Sequence, residues 1–331
     1  MVPFQAKQHK FSILLALIIV LILGLALNIS VGAANISFIT ALKALFVWDG
    51  TREQIIVSTL RLPRTVVGVL VGANLAAAGA LMQALTRNPL ASPQVFGVNA
   101  GASLCVVAGV VLFPSAQISV VVFAFLGAAI GGLIVYSFGS AGGMTPVKLA
   151  LAGIAVHLFL SAFTHSIIIL NESADDVLFW MAGAISDSNW GDVQTIVPWA
   201  LIGISISFAM SGSVSVLGLG DATAKGLGQN ITIIRTAVSF LVLILAGSSV
   251  AVAGPIGFVG LLVPHIARKL VGEDYRFVLP FSALLGAILL VYADVLARFI
   301  AYPYESPVGI VTAMIGTPFF LYLASKGRTL K

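Results

Sequence analysis

Charged residues are scarce in this sequence. Its 331 residues include 17 Lys and Arg and 12 Asp and Glu, 9% in all, while 59% of the residues are hydrophobic. Ordinary soluble domains carry roughly 25% charged residues. The composition therefore excludes a soluble enzyme or a nucleic-acid-binding domain and indicates an all-α polytopic membrane protein. The net charge of +5 is interpreted as basic loops on the cytoplasmic side.

Cysteine and histidine are also scarce. The single Cys105 lies in an apolar run, which excludes an intrachain disulfide and a cysteine metal site. His157, His165 and His265 lack the spacing of metal ligands, and we interpret them as core or lining residues. We expect neither a metal nor another cofactor on this chain.

The motifs of nucleotide chemistry are missing as well. No G-x-x-x-x-G-K-[ST] phosphate loop occurs, so the chain cannot hydrolyse ATP by that route. The G-x-G of Gly218–Gly220 does not follow a strand, and no Ser/His/Asp arrangement can be defended within the membrane. We expect a path-forming protein rather than an enzyme, with an external energy source.

Long apolar runs fill most of the chain. Nine have roughly the 20 residues that cross the hydrocarbon core, and a tenth is shorter and contains Pro264. The runs are 11–31, 65–85, 95–113, 118–138, 147–170, 193–210, 231–252, 257–270, 277–300 and 308–325. The first resembles a signal sequence, but Leu27-Asn28-Ile29-Ser30 is a poor cleavage site, so an uncleaved span is predicted.

The distribution of charge predicts the topology. With ten spans and a cytoplasmic N-terminus, twelve Lys and Arg residues fall inside and five outside. The outer five are Lys43, Arg52, Arg61, Arg64 and Arg298. The positive-inside bias therefore favours ten spans with both termini in the cytoplasm.

Some spans carry polar or small residues with a helical spacing. Asp294 and Arg298 stand four apart and are predicted to pair within the membrane. Gly72, Ala76 and Ala80 in one span, and Gly127 and Gly131 in another, predict close helix packing.

A polar, glycine-rich segment, Ser211–Asn230, interrupts the apolar runs. Asp221 is predicted to cap a short helix Ala222–Lys225, with Gly226 and Gly228 as its stops. Such backbone cannot lie in lipid, so it is placed in water. We interpret it as the handle by which another protein moves this one; the alternative is a simple connector.

Several stretches together resemble the membrane subunit of ABC importers for ferric siderophores, haem and vitamin B12. The set covers the chain in order from Arg61 almost to its end. Its members are Arg61-Leu62-Pro63-Arg64, Gly79-Ala80-Leu81-Met82-Gln83, Arg87-Asn88-Pro89-Leu90-Ala91-Ser92-Pro93, Gly97-Val98-Asn99, Leu149-Ala150-Leu151-Ala152-Gly153, Leu217-Gly218-Leu219-Gly220-Asp221, Gly226-Leu227-Gly228, Gly254-Pro255-Ile256-Gly257-Phe258-Val259-Gly260-Leu261, Pro264-His265, Ala293-Asp294-Val295-Leu296-Ala297-Arg298 and Pro307-Val308-Gly309-Ile310-Val311-Thr312.

The resemblance implies a type II ABC importer permease fold, with residues 1–331 as one permease domain of ten helices. It also implies that two permease chains, identical or homologous, form the pathway in a bacterial cytoplasmic membrane, and that two cytoplasmic ATPase subunits hydrolyse the ATP. Coupling to them is expected through Leu217, Gly218, Leu219, Gly220, Asp221, Ala222, Thr223, Ala224, Lys225, Gly226 and Leu227.

On the outer face the family docks a substrate-binding protein through arginines that meet its glutamates. Arg61, Arg64 and Arg298 stand at the matching motif positions. Surface pairs of this kind contribute roughly 0–1 kcal/mol each, so they set docking register and on-rate. The alternative is that Arg61 and Arg64 anchor a span and Arg298 neutralises Asp294.

A cytoplasmic gate is implied at Asn88 and Leu90, which match a constriction in the vitamin B12 importer. A second constriction in that importer comes from small hydroxyl residues. The corresponding stretch here, Met144-Thr145-Pro146-Val147, departs from that pattern, so the construction of the second gate stays open.

The sequence is therefore interpreted as the permease subunit of a binding-protein-dependent ABC importer for a ferric siderophore or ferric hydroxycarboxylate. Permeases for cobalamin or haem share the motifs and remain alternatives. From other classes, the rivals are an ion-coupled secondary transporter and a membrane-embedded enzyme or assembly factor. The paucity of buried carboxylates argues against ion coupling.

Overall fold

In the computed structural model, residues 4–32, 36–46, 50–113, 119–141, 143, 145–171, 175–302 and 304–326 are described. The described residues are almost entirely helical. The α-helices are α1 Phe4–Ser30, α2 Phe38–Phe46, α3 Arg52–Ile56, α4 Leu62–Thr86, α5 Val98–Leu112, α6 Val120–Ser140, α7 Pro146–Leu170, α8 Asp175–Met181, α9 Trp190–Ala209, α10 Ser211–Gly218, α11 Asp221–Gly226, α12 Ile231–Ala253, α13 Val259–Val271, α14 Tyr275–Ile300 and α15 Val308–Lys326.

Each of the ten predicted apolar runs coincides with one of these helices. Among the described residues, seven helices are long and apolar enough to cross a membrane. The remaining three runs form the shorter helices α5, α13 and α15. The all-α, multi-pass class predicted from composition is confirmed.

Helix α4 lies at the centre of the bundle, and nearly all of its side chains are buried. Its small residues let neighbouring backbones approach closely. A Cβ on Gly72 would overlap the carbonyl oxygen of Gly286 on α14, and a Cβ on Gly79 would overlap that of Gly260 on α13. The predicted small-residue packing face of this span is therefore confirmed. A π-helical turn, Val57–Arg61, joins α3 to α4 without a break.

Helix α5 is short because the chain before it is irregular. After α4 ends, a 3₁₀ turn, Pro93–Phe96, packs against α7, and a Cβ on Gly153 would overlap the carbonyl oxygen of Val95. Gly153 is the eighth residue of α7, so this turn lies about 10 Å along that helix. The amino end of α5 therefore begins within the bundle.

Candidate functional site

The polar segment 211–230 folds as two short helices, α10 and α11. Leu217 and Ala224 are buried and attach the pair to the bundle, whereas Leu219 and Leu227 are 67% and 64% exposed. Gly220 joins the two helices with φ of +107°, a backbone conformation that favours glycine. The segment therefore presents leucine side chains on a small, fixed projection.

The predicted capping role of Asp221 is wrong. Asp221 is the first residue of α11, its N-cap is Gly220, and no side chain caps the helix. The Asp221 carboxylate instead lies 2.8 Å from Arg235 Nη2 and 3.1 Å from Arg87 Nη2. Two charge-assisted contacts are stronger than one bond to a backbone amide, which explains the difference.

The predicted stops of this helix are partly correct. Gly226 belongs to the helix as its last residue, and Leu227 is the C-cap. Gly228 has φ of +78°, and its amide donates to the Lys225 carbonyl at 2.9 Å. The helix therefore ends between the two predicted glycines.

Arg87, Asp221 and Arg235, here called the Asp221 cluster, connect three elements. Arg87 ends α4 in the left-handed conformation with φ of +50°, and Arg235 lies on α12. The predicted gate residues follow Arg87 directly: the Leu90 amide donates to Asn88 Oδ1 at 2.9 Å, and Leu90 is 38% exposed. Asp221 thus ties α11 to the segment that carries Asn88 and Leu90.

A groove of about 390 Å³ lies beside the Asp221 cluster. Its walls include Arg87, Leu219, Arg268 and Tyr275. Arg268 Nη2 donates to Gln83 Oε1 at 2.5 Å, so this arginine is held against α4.

The stretch 144–147, where a second gate was left open, is only partly described. Met144 lies outside the described residues. Thr145 caps α7 by accepting from the Lys148 amide at 3.3 Å, and Val147 is 67% exposed. The construction of a second gate stays a prediction.

A second polar cluster surrounds the buried carboxylate of Asp294, which is 1% exposed. Arg64 Nη2 lies 2.7 Å and Arg298 Nη2 2.6 Å from its oxygens, and Asn28 Nδ2 donates to it at 2.9 Å. The structure therefore brings Asp294 and Arg298 together, as their spacing predicts, and adds α1 and α4 to the pair. Here the Asp294 cluster means Asn28, Arg61, Arg64, Asp294, Arg298 and Glu305.

The three predicted docking arginines are side by side but buried. Arg61, Arg64 and Arg298 are each 6% exposed. Arg61 Nη1 donates to the carbonyls of Ile29 and Ser30, both at 2.7 Å, and Arg64 Nη1 lies 2.5 Å from Glu305. All three line a cavity of about 470 Å³, and Glu305 is part of the same lining.

Sequence reasoning missed Asn28 and Glu305 in this cluster. Asn28 is a polar residue within an apolar run, and that placement is the signal that could have identified it. Glu305 lies in the connection between α14 and α15, and no spacing relates it to Arg64, 241 residues away.

The two clusters lie at opposite ends of the bundle. Arg64 is near the start of α4 and Arg87 directly follows its end. Their separation of 23 positions corresponds to a rise of about 34 Å, slightly more than the thickness of the hydrocarbon core. Opposite faces of a membrane therefore carry the Asp221 and Asp294 clusters.

The described histidines lie in different surroundings. Within the described ranges, no group of three or more His, Cys, Asp or Glu is arranged to hold a metal ion. The His265 ring packs edge-on against Phe319, 5.7 Å between centroids. His157 and His165 are exposed on α7. They are therefore not core residues, and the remaining prediction for them is that they line a pathway.

Comparison with known proteins identifies the same family throughout. The model of the FecCD transport family matches residues 17–326. The chain is 70% identical over 330 residues to an Fe(3+)-citrate import system permease protein of Bacillus subtilis, covering 99% of both chains. It is 42% identical to an Fe(3+) dicitrate transport system permease protein of Escherichia coli, over 83% of this chain and 85% of that protein.

A solved structure has a similar fold. It is described as an inward-facing conformation of a metal-chelate type ABC transporter, and it aligns with a TM-score of 0.84 at 28% identity. The alignment covers 95% of this chain and 99% of the other.

Proposed function

The chain belongs to the FecCD transport family, and we propose that it carries ferric citrate or a closely related ferric hydroxycarboxylate through the membrane. It is an ABC importer permease for chelated iron. The observation that carries the choice of substrate is the 70% identity, across the whole chain, to a ferric-citrate permease. A cobalamin import permease of Halobacterium salinarum is 41% identical over 82% of this chain, which makes cobalamin the weaker candidate.

The proposed assembly follows the family. Two chains of this type line the pathway in a bacterial cytoplasmic membrane. Two separate ATPase subunits bind on the cytoplasmic side, and a substrate-binding protein delivers the chelate on the other. The chain itself supplies neither ATP hydrolysis nor a bound cofactor.

The coupling segment, Leu217–Leu227, is the proposed contact with the ATPase. Its exposed leucines, Leu219 and Leu227, are free to enter a groove on that partner, while buried Leu217 and Ala224 keep the segment attached to the permease. A rigid element of this kind transmits the movement of its partner.

The proposed route from the coupling segment to the gate is the Asp221–Arg87 ion pair. A movement of α11 carries the Asp221 carboxylate, which is bonded to Arg87 at the end of α4. Asn88 and Leu90 are one and three residues further along the chain. A displacement of α11 therefore moves the backbone at the cytoplasmic gate without passing through the bundle core.

The Asp294 cluster is the proposed docking site for the binding protein. Because Arg64 already pairs with Glu305, which is partly exposed, a carboxylate of the binding protein must replace Glu305 to reach Arg64. Arg61 donates to the carbonyls of Ile29 and Ser30 and lines the same cavity, so we include it in the proposed docking site.

The test is uptake of radioactive ferric citrate by the complete importer in proteoliposomes. We expect uptake that requires ATP and the loaded binding protein and that is indifferent to the membrane potential. Uptake that survives without ATP but collapses with the potential would support an ion-coupled transporter instead. Uptake of cobalamin without ferric citrate would reject the substrate assignment alone.

A further inference from the structure

A cavity of about 570 Å³ opens between α5, α7 and α8, and the proposed function assigns it no role. Its volume falls in the range of roughly 300–1,000 Å³ that is typical of small-molecule sites. Seven of its lining side chains are polar, and six of these share a feature given below: Gln94, Asn99, Ser103, His157, Ser161 and His165. We call these six the donor wall.

The donor wall has free hydrogen-bonding capacity. Across the part of the chain that the structure describes, none of the six side chains has a protein hydrogen-bond partner. Thr164, in the same lining, differs because its hydroxyl donates to the Leu160 carbonyl at 2.9 Å. Ser103 is only 6% exposed, so the hydrogen-bond partner of its hydroxyl must be a molecule that occupies the cavity.

The depth of the donor wall argues against contact with lipid. His157 is the twelfth of the 25 residues of α7, close to the middle of a helix that is long enough to span the membrane. Both His157 and His165 are exposed in this chain. An ionisable side chain at that depth normally faces a water-filled cavity or another polar surface. The donor wall therefore faces water or a polar ligand.

The charge of the lining selects the kind of ligand. The described lining residues include no Asp, Glu, Lys or Arg. Without carboxylates the wall does not repel an anion, and without arginines or lysines it does not hold one tightly. Transport requires this balance, since a bound solute must also leave. Asn99 and Ala100, in the first turn of α5, also line the cavity, and the amides of a first helical turn favour negative charge.

The wall is not built to bind the iron itself. His157 and His165 are eight residues apart on one helix, about 12 Å along its axis, too far for one ion. The ligand atoms within reach of these donors are the outer oxygens of an intact chelate.

We propose that the donor wall contacts the carboxylate and hydroxyl oxygens of an anionic ferric chelate as it passes through the permease. This inference rests on the proposed function, because it places the donor wall on the pathway between two permease chains. It assigns substrate contact to α5 and α7 rather than to the charged clusters at the two faces.

Accessibility gives the first test. In the assembled importer with Cys105→Ser, the variants His157→Cys and Ser161→Cys are treated during turnover with a charged, membrane-impermeant thiol reagent. We expect labelling of both, slowed by saturating ferric citrate on the binding protein. Leu133→Cys is the control. Leu133 is 46% exposed on an apolar part of α6, so we expect a charged reagent to leave it unlabelled. Absence of labelling at both positions of the donor wall would overturn the proposal.

Transport gives the second test. His157→Leu combined with His165→Leu is expected to lower kcat/KM for ferric citrate about tenfold, the effect of losing a hydrogen bond to a charged group. ATP hydrolysis and co-purification of the ATPase should be unchanged. Ser166→Ala is the control, because that hydroxyl already donates to the Ala162 carbonyl at 2.8 Å and lies outside the cavity. An unchanged kcat/KM would overturn the proposal that the donor wall contacts the chelate. A wild-type complex that fails to transport ferric citrate would instead reject the proposed function.

Discussion

Asp221 Oδ1 lies 3.1 Å from Arg87 Nη2, and this ion pair joins the exposed helix α11 to the end of the central helix α4. The same carboxylate also binds Arg235 on α12 at 2.8 Å. One side chain therefore connects the proposed ATPase contact to the proposed gate.

Asp221→Asn should uncouple the importer without unfolding it. Asp221 and Arg87 are both partly exposed, so the loss of that pair should lower the free energy of unfolding by no more than about 1 kcal/mol, and the oxygen of the new asparagine side chain can still accept from the buried Arg235. We expect ferric-citrate uptake to fall at least tenfold while ATP hydrolysis by the complex continues. The readouts are uptake and phosphate release from the same proteoliposomes. Arg52→Gln, an exposed charge on α3 outside the coupling segment, is the control with near-normal uptake; equal uptake by Asp221→Asn and wild type would refute the link.

Leu219→Asp and Leu227→Asp should each weaken attachment of the ATPase. Both leucines are exposed in this chain, so neither change disturbs the bundle, but each would bury an unpaired carboxylate in the proposed interface. We expect at least a tenfold loss of ATPase that co-purifies in mild detergent. Ile39→Asp provides the comparison, since Ile39 is 67% exposed on α2, near the other end of the bundle. Normal co-purification of both leucine variants would place the contact elsewhere.

Asp294→Asn should destabilise the permease strongly. The change leaves Arg64 and Arg298 buried without their shared carboxylate, and breaking a buried pair from one side costs about 3–5 kcal/mol. Thermal unfolding in detergent measures this effect. Adding Arg298→Met should recover part of the loss by removing one of the uncompensated charges. A single variant as stable as wild type would show that the cluster contributes little to the fold.

Glu305→Gln should strengthen docking of the binding protein. The change releases Arg64 from its partly exposed partner, so we expect a two- to fivefold higher affinity at low salt and little difference at high salt. Asp187→Asn is the charge-matched control, because Asp187 lines the same cavity and forms no ion pair with any described residue. Weaker binding by Glu305→Gln would mean that Glu305 itself contacts the binding protein.

The helices were predictable from sequence because an apolar run of about 20 residues has few alternatives in a membrane. The ten runs all became helices, including the short run with Pro264, which forms α13. Helix α10 was missed because Ser211–Gly218 has the composition of a loop. It forms because Met210, between α9 and α10, stays in the right-handed helical region with φ of −84° and ψ of −2°, so the chain enters a second helix directly.

The site was less predictable because its contacts join distant parts of the chain. The pair Asp294 and Arg298 follows from a spacing of four. Arg64 and Asp294 are 230 residues apart, and Arg87 and Asp221 are 134 apart, so no local pattern indicates either pair. The predicted cap at Asp221 failed for this reason: the local rule is sound, but two distant arginines compete for the same carboxylate.

The most direct test of the account is a cross-link between α11 and the ATPase. Thr223 is exposed on α11, so Thr223→Cys in a Cys105→Ser background offers a single thiol at the proposed contact. In the complete importer, a short thiol-reactive cross-linker should join this chain to the ATPase subunit, and ATP should change the yield. An ATPase that co-purifies but never cross-links from Thr223→Cys would contradict the claim that the permease is driven through this helix.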